Sequence, residues 1–201
     1  MNRHILFFVL AAVGAFPACK DETNVPATPD QNQILPLATG NTWEFLRSWI
    51  DSNGVPVYSS SLLVSVGQPD TFGTEKAYPV ANFPFVFVSP EPLLCSNRPG
   101  GLYIAIPAPD SLSAAFARLL TFPTNLGDSI TFSQHTIRTA SVNEHVVVPG
   151  GSFTCVRYDI FQSDTLRGKL FVAPNIGIVR VWQRYYAVSA LVDEMRSFRL
   201  H

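Results

Sequence analysis

Residues 42–66, TWEFLRSWIDSNGVPVYSSSLLVSV, decide the fold. Thr42 to Trp49 alternates apolar with polar side chains, the period of two that sends successive residues to opposite faces of a strand. Asp51-Ser52-Asn53-Gly54 then supplies turn chemistry, because Gly takes a positive φ freely and Asn tolerates it. Val55 to Val66 returns as a second strand. Long strands joined by so short a turn imply antiparallel pairing, since parallel neighbours need a long crossover.

Working outward, the same signal predicts strands at Lys76 to Asn82, Phe85 to Val88, Leu102 to Ile106, Ile130 to Thr139, Val142 to Val148, Phe153 to Phe161, Leu170 to Ala173, Ile178 to Val188 and Glu194 to Leu200. One short helix is predicted over Ser111 to Leu120, with Asp110 as its cap and Pro123 just beyond its end. The expected fold is therefore all-β, mainly strand with one short helix: an antiparallel meander closing into a curved half-barrel or a β-sandwich. Pro36 to Phe45, PLATGNTWEF, also lines up with Pro123 to Phe132, PTNLGDSITF, sharing Pro-x-x-x-Gly, a polar pair, an apolar residue and Phe. Tyr103-Ile104-Ala105 before Pro107 echoes Phe171-Val172-Ala173 before Pro174. The body, 34–201, thus reads as one β-rich domain made of two fused repeats, 34–110 and 121–201, with shared turn chemistry as the other source of the likeness.

The beginning of the chain has a different character. Met1-Asn2-Arg3-His4 is a short positive segment, and Ile5 to Phe16 is uncharged and apolar but too short to span a membrane as a helix. That order of parts predicts an export signal over 1–18. Ala18-Cys19 resembles the end of a bacterial lipoprotein signal, in which the cysteine takes a diacylglycerol before cleavage. Phe16 and Pro17 depart from that pattern, which keeps an ordinary cut after Val13-Gly14-Ala15 open. Lipidation of Cys19 would anchor the chain, because several acyl chains hold a protein on a membrane where one does so only marginally. Residues 19–33, with Lys20-Asp21-Glu22 and then Pro26 and Pro29, are expected to form a solvated tether. Lys20-Asp21-Glu22 resembles the short Lys-acid-acid signal that sends some lipoproteins to the outer surface of Gram-negative cells; ordinary linker charge accounts for it equally. The expected location is the cell envelope, lipid-anchored in the outer membrane and exposed at the surface.

The chain carries 14 Lys and Arg against 15 Asp and Glu, so no basic surplus points to nucleic acid. Charged residues are 14% of the chain while 15 residues are Phe, which describes a weakly charged, Phe-rich body.

Residues that carry chemistry are few. Cys95 and Cys155 are either a disulfide formed in an oxidising compartment or two buried thiols. His135 and His145 flank a turn expected around Ala140 to Asn143 and would face each other across a hairpin, with Glu144 beside them. Adjacent residues on a strand point to opposite faces, so Glu144 and His145 do not converge, and no metal site is assigned. Asp159 and Asp164 are read as surface or salt-bridged carboxylates, and Pro149-Gly150-Gly151-Ser152 as a hairpin turn. Phe83, Phe85 and Phe87 alternate with Val86 and Val88, which makes the segment apolar on both faces; it belongs to the core or lines an apolar-ligand pocket. No nucleophile, phosphate-loop or dinucleotide motif is present, and no catalytic residue or cofactor is assigned.

The opening PLATGNTWEF and the stretch LFVAPNIGIVRVW, Leu170 to Trp182, resemble a family of poorly characterised bacterial envelope lipoproteins. These begin with Pro-Leu-x-x-Gly-Asn-x-Trp and place Ala-Pro-x-x-Gly between two late strands, where Asn175 and Gly177 would make a tight turn. Such domains look similar to the curved half-barrels of lipoprotein carriers such as LolA. The resemblance implies a membrane-anchored, non-enzymatic binding or structural module, whose partners are the membrane through its acyl chains and an apolar ligand or an envelope protein. A carrier or sensor of lipid, and a hydrolase without a recognisable motif, stand as alternatives.

Overall fold

Trp43 and Phe45 alternate with Glu44 along β1 (Thr42–Ile50) and are almost wholly buried. In the computed structural model, which describes residues 33–84, 92–109, 112–186 and 189–201, this strand lies at the middle of a long antiparallel sheet. β2 (Pro56–Val66) returns beside it after the turn at Asn53-Gly54, where Gly54 has φ 79°. β3 (Asp70–Phe72) pairs only with β4 (Glu75–Ala81). β5 (Leu93–Arg98), β6 (Gly101–Pro107) and β7 (Ala114–Thr121) continue outward in order. β8 (Ser129–Phe132), β9 (His135–Val148), β10 (Gly151–Gln162), β11 (Thr165–Ala173), β12 (Gly177–Tyr186) and β13 (Ser189–Arg199) form a second run of neighbours.

The path through the sheet is β7-β6-β5-β4-β2-β1-β13-β12-β11-β10-β9-β8. It consists of two meanders of six strands, joined where the first strand of one, β1, pairs antiparallel with the last strand of the other, β13. The sheet curls until its ends, β7 and β8, approach each other without pairing, so the structure is a nearly closed barrel. One apolar cluster fills the interior, with Trp43, Phe45, Ile104, Tyr158, Leu170 and Met195 drawn from both meanders. The all-β, antiparallel, curved architecture expected from the sequence is the one observed.

Three local expectations are corrected. No helix occurs among the described residues, and Ala114 to Thr121 is strand β7, hydrogen-bonded to β6 from Pro107–Ala114 to Gly101–Thr121. Asp110 and Ser111 lie outside the described residues. Second, the turn between β8 and β9 falls at Ser133-Gln134, with Ser133 at φ 54°, and Ala140 to Asn143 is the middle of β9. The pairing with β10 slips twice there, between Cys155 and Arg157 and between Arg157 and Tyr158, which interrupts the alternation much as a turn would. Third, Leu93 to Arg98, where no strand is predicted, is strand β5.

The first repeat signal is structural. In PLATGNTWEF, Gly40 has φ 90° and donates from N to Val66 O, Val66 N donates to Asn41 O, and Asn41 N donates to Ala38 O. In PTNLGDSITF, Gly127 has φ 90° and donates to Thr139 O, Thr139 N donates to Asp128 O, and Asp128 N donates to Asn125 O. The second echo, YIA against FVA, falls on β6 and β11, which hold different places in their meanders.

Candidate functional site at the open seam

β7 and β8 share no ladder, and where β7 ends the chain is tied to the second meander. Tyr158 reaches from β10 to donate its hydroxyl to Thr121 O at 2.7 Å, and the loop after β7 is tied to β9 by the Thr124 and Thr139 hydroxyls, 2.7 Å apart. Burial of the Tyr158 phenol pushes its pKa well above the usual tyrosine range, which keeps it a hydrogen-bond donor. Beyond this tie β8 stops at Phe132, while β7 extends back to Ala114. The gap is a cleft of about 700 Å³ lined by Tyr103, Ile106, Ala117, Arg118 and the run from Ile130 to Ser133.

The walls of the cleft have two characters, set by strand alternation. Ile130 and Phe132 pack against the main core, and Ala117 pairs with the buried Ile104, so these residues face inward with Ile106. Tyr103 and Arg118 pair with each other on the outer face. Arg118 Nε donates to Tyr103 Oη at 2.9 Å, and its guanidinium carbon lies 5.4 Å from the ring centroid. A second arginine, Arg98, stacks 4.0 Å over Phe116 and pairs with Glu75 at 2.9 Å. Arg118 makes no ion pair among the described residues.

The two motifs that carry the sequence resemblance meet at the tied end. Trp43 Nε1 donates to Ile176 O at 2.6 Å, and Asn175 N donates to Gln33 O. Gly177, at φ 105°, sits so close that an added Cβ would lie 3.0 Å from Leu35 and 3.1 Å from Trp43 Nε1. Ile34 and Leu35 are buried, Asn97 Nδ2 donates to Leu35 O, and Asn41 Nδ2 donates to Pro36 O. The segment that follows the expected tether is therefore clamped at the end where β7 finishes and β8 starts.

The residues singled out from the sequence are dispersed. Cys19, Phe85 and Phe87 lie outside the described residues, and Phe83 is buried in the main core. Cys95 on β5 and Cys155 on β10 are buried thiols. Burial and the Glu144 carboxylate push the Cys155 thiol up to about 12, partly offset by Arg180. His135 and His145, expected to face each other across a hairpin, lie on one strand, the first buried and the second exposed. Glu144 pairs with Arg157 at 2.9 Å, and Arg157 Nε lies 3.1 Å from Asp159. No group of three metal-ligating side chains occurs among the described residues. The seam itself was not legible in the sequence; its only trace is the Ser133-Gln134 turn, which shortens the second copy of the repeated strand.

No protein-family model matches the chain, and no curated protein sequence matches it significantly. Solved structures with a similar chain path include a candidate lipoprotein from Parabacteroides distasonis ATCC 8503, at 13% identity and a TM-score of 0.46, covering 84% of this chain and 99% of that one. Another is a candidate exported protein with a YmcC-like fold from Bacteroides fragilis NCTC 9343, at 16% identity and a TM-score of 0.45, covering 84% of this chain and 100% of that one. At that distance neither says what this chain does.

Proposed function

We propose that the chain is a lipid-anchored binding module of the bacterial cell envelope, without catalytic activity, that presents the seam between β7 and β8 to its ligand. The anchor reading rests on the order of parts before Cys19. The binding reading rests on one observation: a barrel whose interior is packed leaves, at the one unpaired junction among the described strands of its path, a cleft with apolar inner walls and an arginine at the rim. An apolar cleft with a few polar groups at its rim is the default form of a binding-site hypothesis. The buried thiol of Cys155 and the separated histidines favour binding over nucleophilic chemistry. An apolar-ligand site at Phe83 is disfavoured, because that ring is part of the packed core.

The test is the native mass of the full chain released from membranes in mild detergent. Wild type should carry acyl groups on Cys19 and, beyond them, a non-covalent adduct. Ala117→Trp, which places an indole in the cleft, should keep the acyl mass and lose the adduct. An adduct that survives Ala117→Trp overturns the seam as the binding face, and an unacylated Cys19 overturns the anchor.

A further inference from the structure

We propose that the outer edge of β2 is a contact between two copies of this chain, paired antiparallel about a two-fold axis at Ser60. β2 has β1 along one side from Pro56 to Ser65, while on its other side it pairs with β4 only at Ser65 and Val66. The edge from Val57 to Leu63 therefore has no ladder among the described residues. It is also open, with Val57 67% exposed, Tyr58 61% and Leu63 55%.

The hydrogen-bonding groups of that edge can be assigned. Val66 turns its backbone groups toward the β1 side, donating to Asn41 O and accepting from Gly40 N. Successive residues of an antiparallel strand turn these groups to opposite sides, so the even-numbered residues of β2 face β1. Val57, Ser59, Ser61 and Leu63 then face outward. Leu63 agrees, since its carbonyl accepts from Asn82 Nδ2 at 3.0 Å, just past the end of β4.

Long edges are normally guarded by charge, by a bulge or by a covering element. Val55 to Val66, VPVYSSSLLVSV, carries no charged residue. What it carries instead is symmetry. Read outward from Ser60 in either direction, the order is one serine and then two apolar residues: Ser59, Tyr58 and Val57 one way, Ser61, Leu62 and Leu63 the other. Pairing about Ser60 sets Ser59 opposite the partner's Ser61, Tyr58 opposite the partner's Leu62 and Val57 opposite the partner's Leu63. The outward-facing residues meet one another in hydrogen-bonded pairs, and Ser60 meets its own copy in a non-hydrogen-bonded one. Moving the axis to Ser59 or Ser61 would set serines against apolar side chains. A two-fold contact requires a surface complementary to itself, and here no like charges are brought together. A foreign strand would need an uncharged edge but not a symmetrical one.

The experiment uses the full chain carrying Cys19→Ser, so that acyl groups do not drive association. Sedimentation velocity should show a reversible monomer–dimer equilibrium between about 1 and 200 µM, as suits a small interface. Ser60→Cys should form an interchain disulfide on mild oxidation, because Cα atoms at a non-hydrogen-bonded pair stand about 4.5 Å apart. Val57→Cys, which faces the partner's Leu63 rather than its own copy, should not. Ser59→Lys with Ser61→Lys should make the chain monomeric, and Ser59→Lys with Ser61→Glu should restore the dimer by setting opposite charges across the ladder. Each variant is compared at an unchanged unfolding midpoint, which separates a lost contact from a lost fold. A parent chain that stays monomeric over that range, a dimer indifferent to the two lysines, or a lysine–glutamate variant that stays monomeric would each overturn the proposal. Hydrogen exchange needs no substitution: the Val57, Ser59 and Ser61 amides should lose protection on dilution. Protection that persists in the monomer would show the edge covered within the chain, and would overturn the contact as well.

Discussion

β1 meets β13 over nine residue pairs, from Thr42 opposite Arg199 to Ile50 opposite Ala190, whereas β8, the first strand of the other meander, runs only from Ser129 to Phe132 and pairs with β9 alone. Both strands start from the same Pro-x-x-x-Gly loop with the same three backbone hydrogen bonds. They part after the shared phenylalanine. Past Phe45 the chain continues through Leu46-Arg47-Ser48-Trp49-Ile50; past Phe132 it turns at Ser133, which adopts a left-handed φ of 54°. One turn, placed early, leaves β8 four residues long, and β7 has no ladder with it. The barrel is closed by a nine-pair ladder on one side and by approach without pairing on the other.

The largest difference should appear on truncating the residues that head the two strands. Trp43 is 1% exposed and spends its indole N–H on Ile176 O, while its counterpart Ile130 is only partly buried at the cleft. Trp43→Ala is expected to cost about 4 kcal/mol from lost burial and the void left behind, and Ile130→Ala about 1 kcal/mol. Urea midpoints of the two variants check this. Equal losses would mean that the seam is packed in solution as tightly as the β1/β13 junction.

Next in size is the charge pair inside the closed junction. Asp193 is fully buried and accepts two hydrogen bonds from Arg47, at 2.8 and 2.9 Å, across the β1/β13 ladder. Asp193→Ala leaves a partly exposed guanidinium without its anion, and the loss should be about 3 kcal/mol. Arg118, at the open junction, has no such anion among the described residues, so Arg118→Ala should cost less than about 1 kcal/mol. A costly Arg118→Ala would assign that arginine to the fold and remove the reason to see it as a ligand contact.

Gly177→Val sharpens the same contrast at the tied end, because it combines left-handed backbone with a Cβ about to touch Leu35 and Trp43. About 2 kcal/mol is expected, from backbone strain and displacement of the Trp43 ring. Gly127→Ala, at φ 90° but with nothing within 4 Å of the added carbon, should cost only the strain, about 1 kcal/mol. Thermal unfolding of both variants measures the gap, and an unchanged Gly177→Val midpoint would show that the two sequence motifs do not clamp each other.

How much of this could be read beforehand depends on what each residue must satisfy. The turns at Asn53-Gly54 and at Asn175 to Gly177 were legible because positive φ narrows the choice of residue to Gly and Asn. The strand β7 was not. Ala114, Ala115 and Ala117 favour helix locally, but the free edge of β6 pairs with them, and a slip beside Leu102 lets Leu119 and Leu120 both be buried, which breaks the period of two. The cleft was hidden for a related reason. Its lining comes from strands that are distant in pairing order, and none of its residues is unusual for a sheet surface. Only the curvature that brings β7 to β8 makes them one site.

The smallest effect, and the one confined to the open side, is a dependence on pH. His135 begins β9 opposite Phe132 and is buried, and desolvation together with the charge of Arg167 holds its pKa below the ordinary imidazole value of 6.5. A lowered folded-state pKa means that, below pH 6.5, the unfolded chain takes up a proton that the folded chain resists. Stability contributed by the neutral ring is therefore complete above 6.5 and declines as pH falls toward the lowered native value. His135→Gln should flatten that decline while leaving stability near pH 7.5 within about 1 kcal/mol. Hydrogen exchange locates the effect: between about pH 7.5 and pH 5.5, after correction for intrinsic rates, protection should fall across β8 and the start of β9 and hold across β1 and β13. A uniform fall in both places would mean that His135 titrates with the whole barrel rather than at the seam. A fall confined to β8 and β9 would show the open junction loosening in acid while its counterpart stays shut.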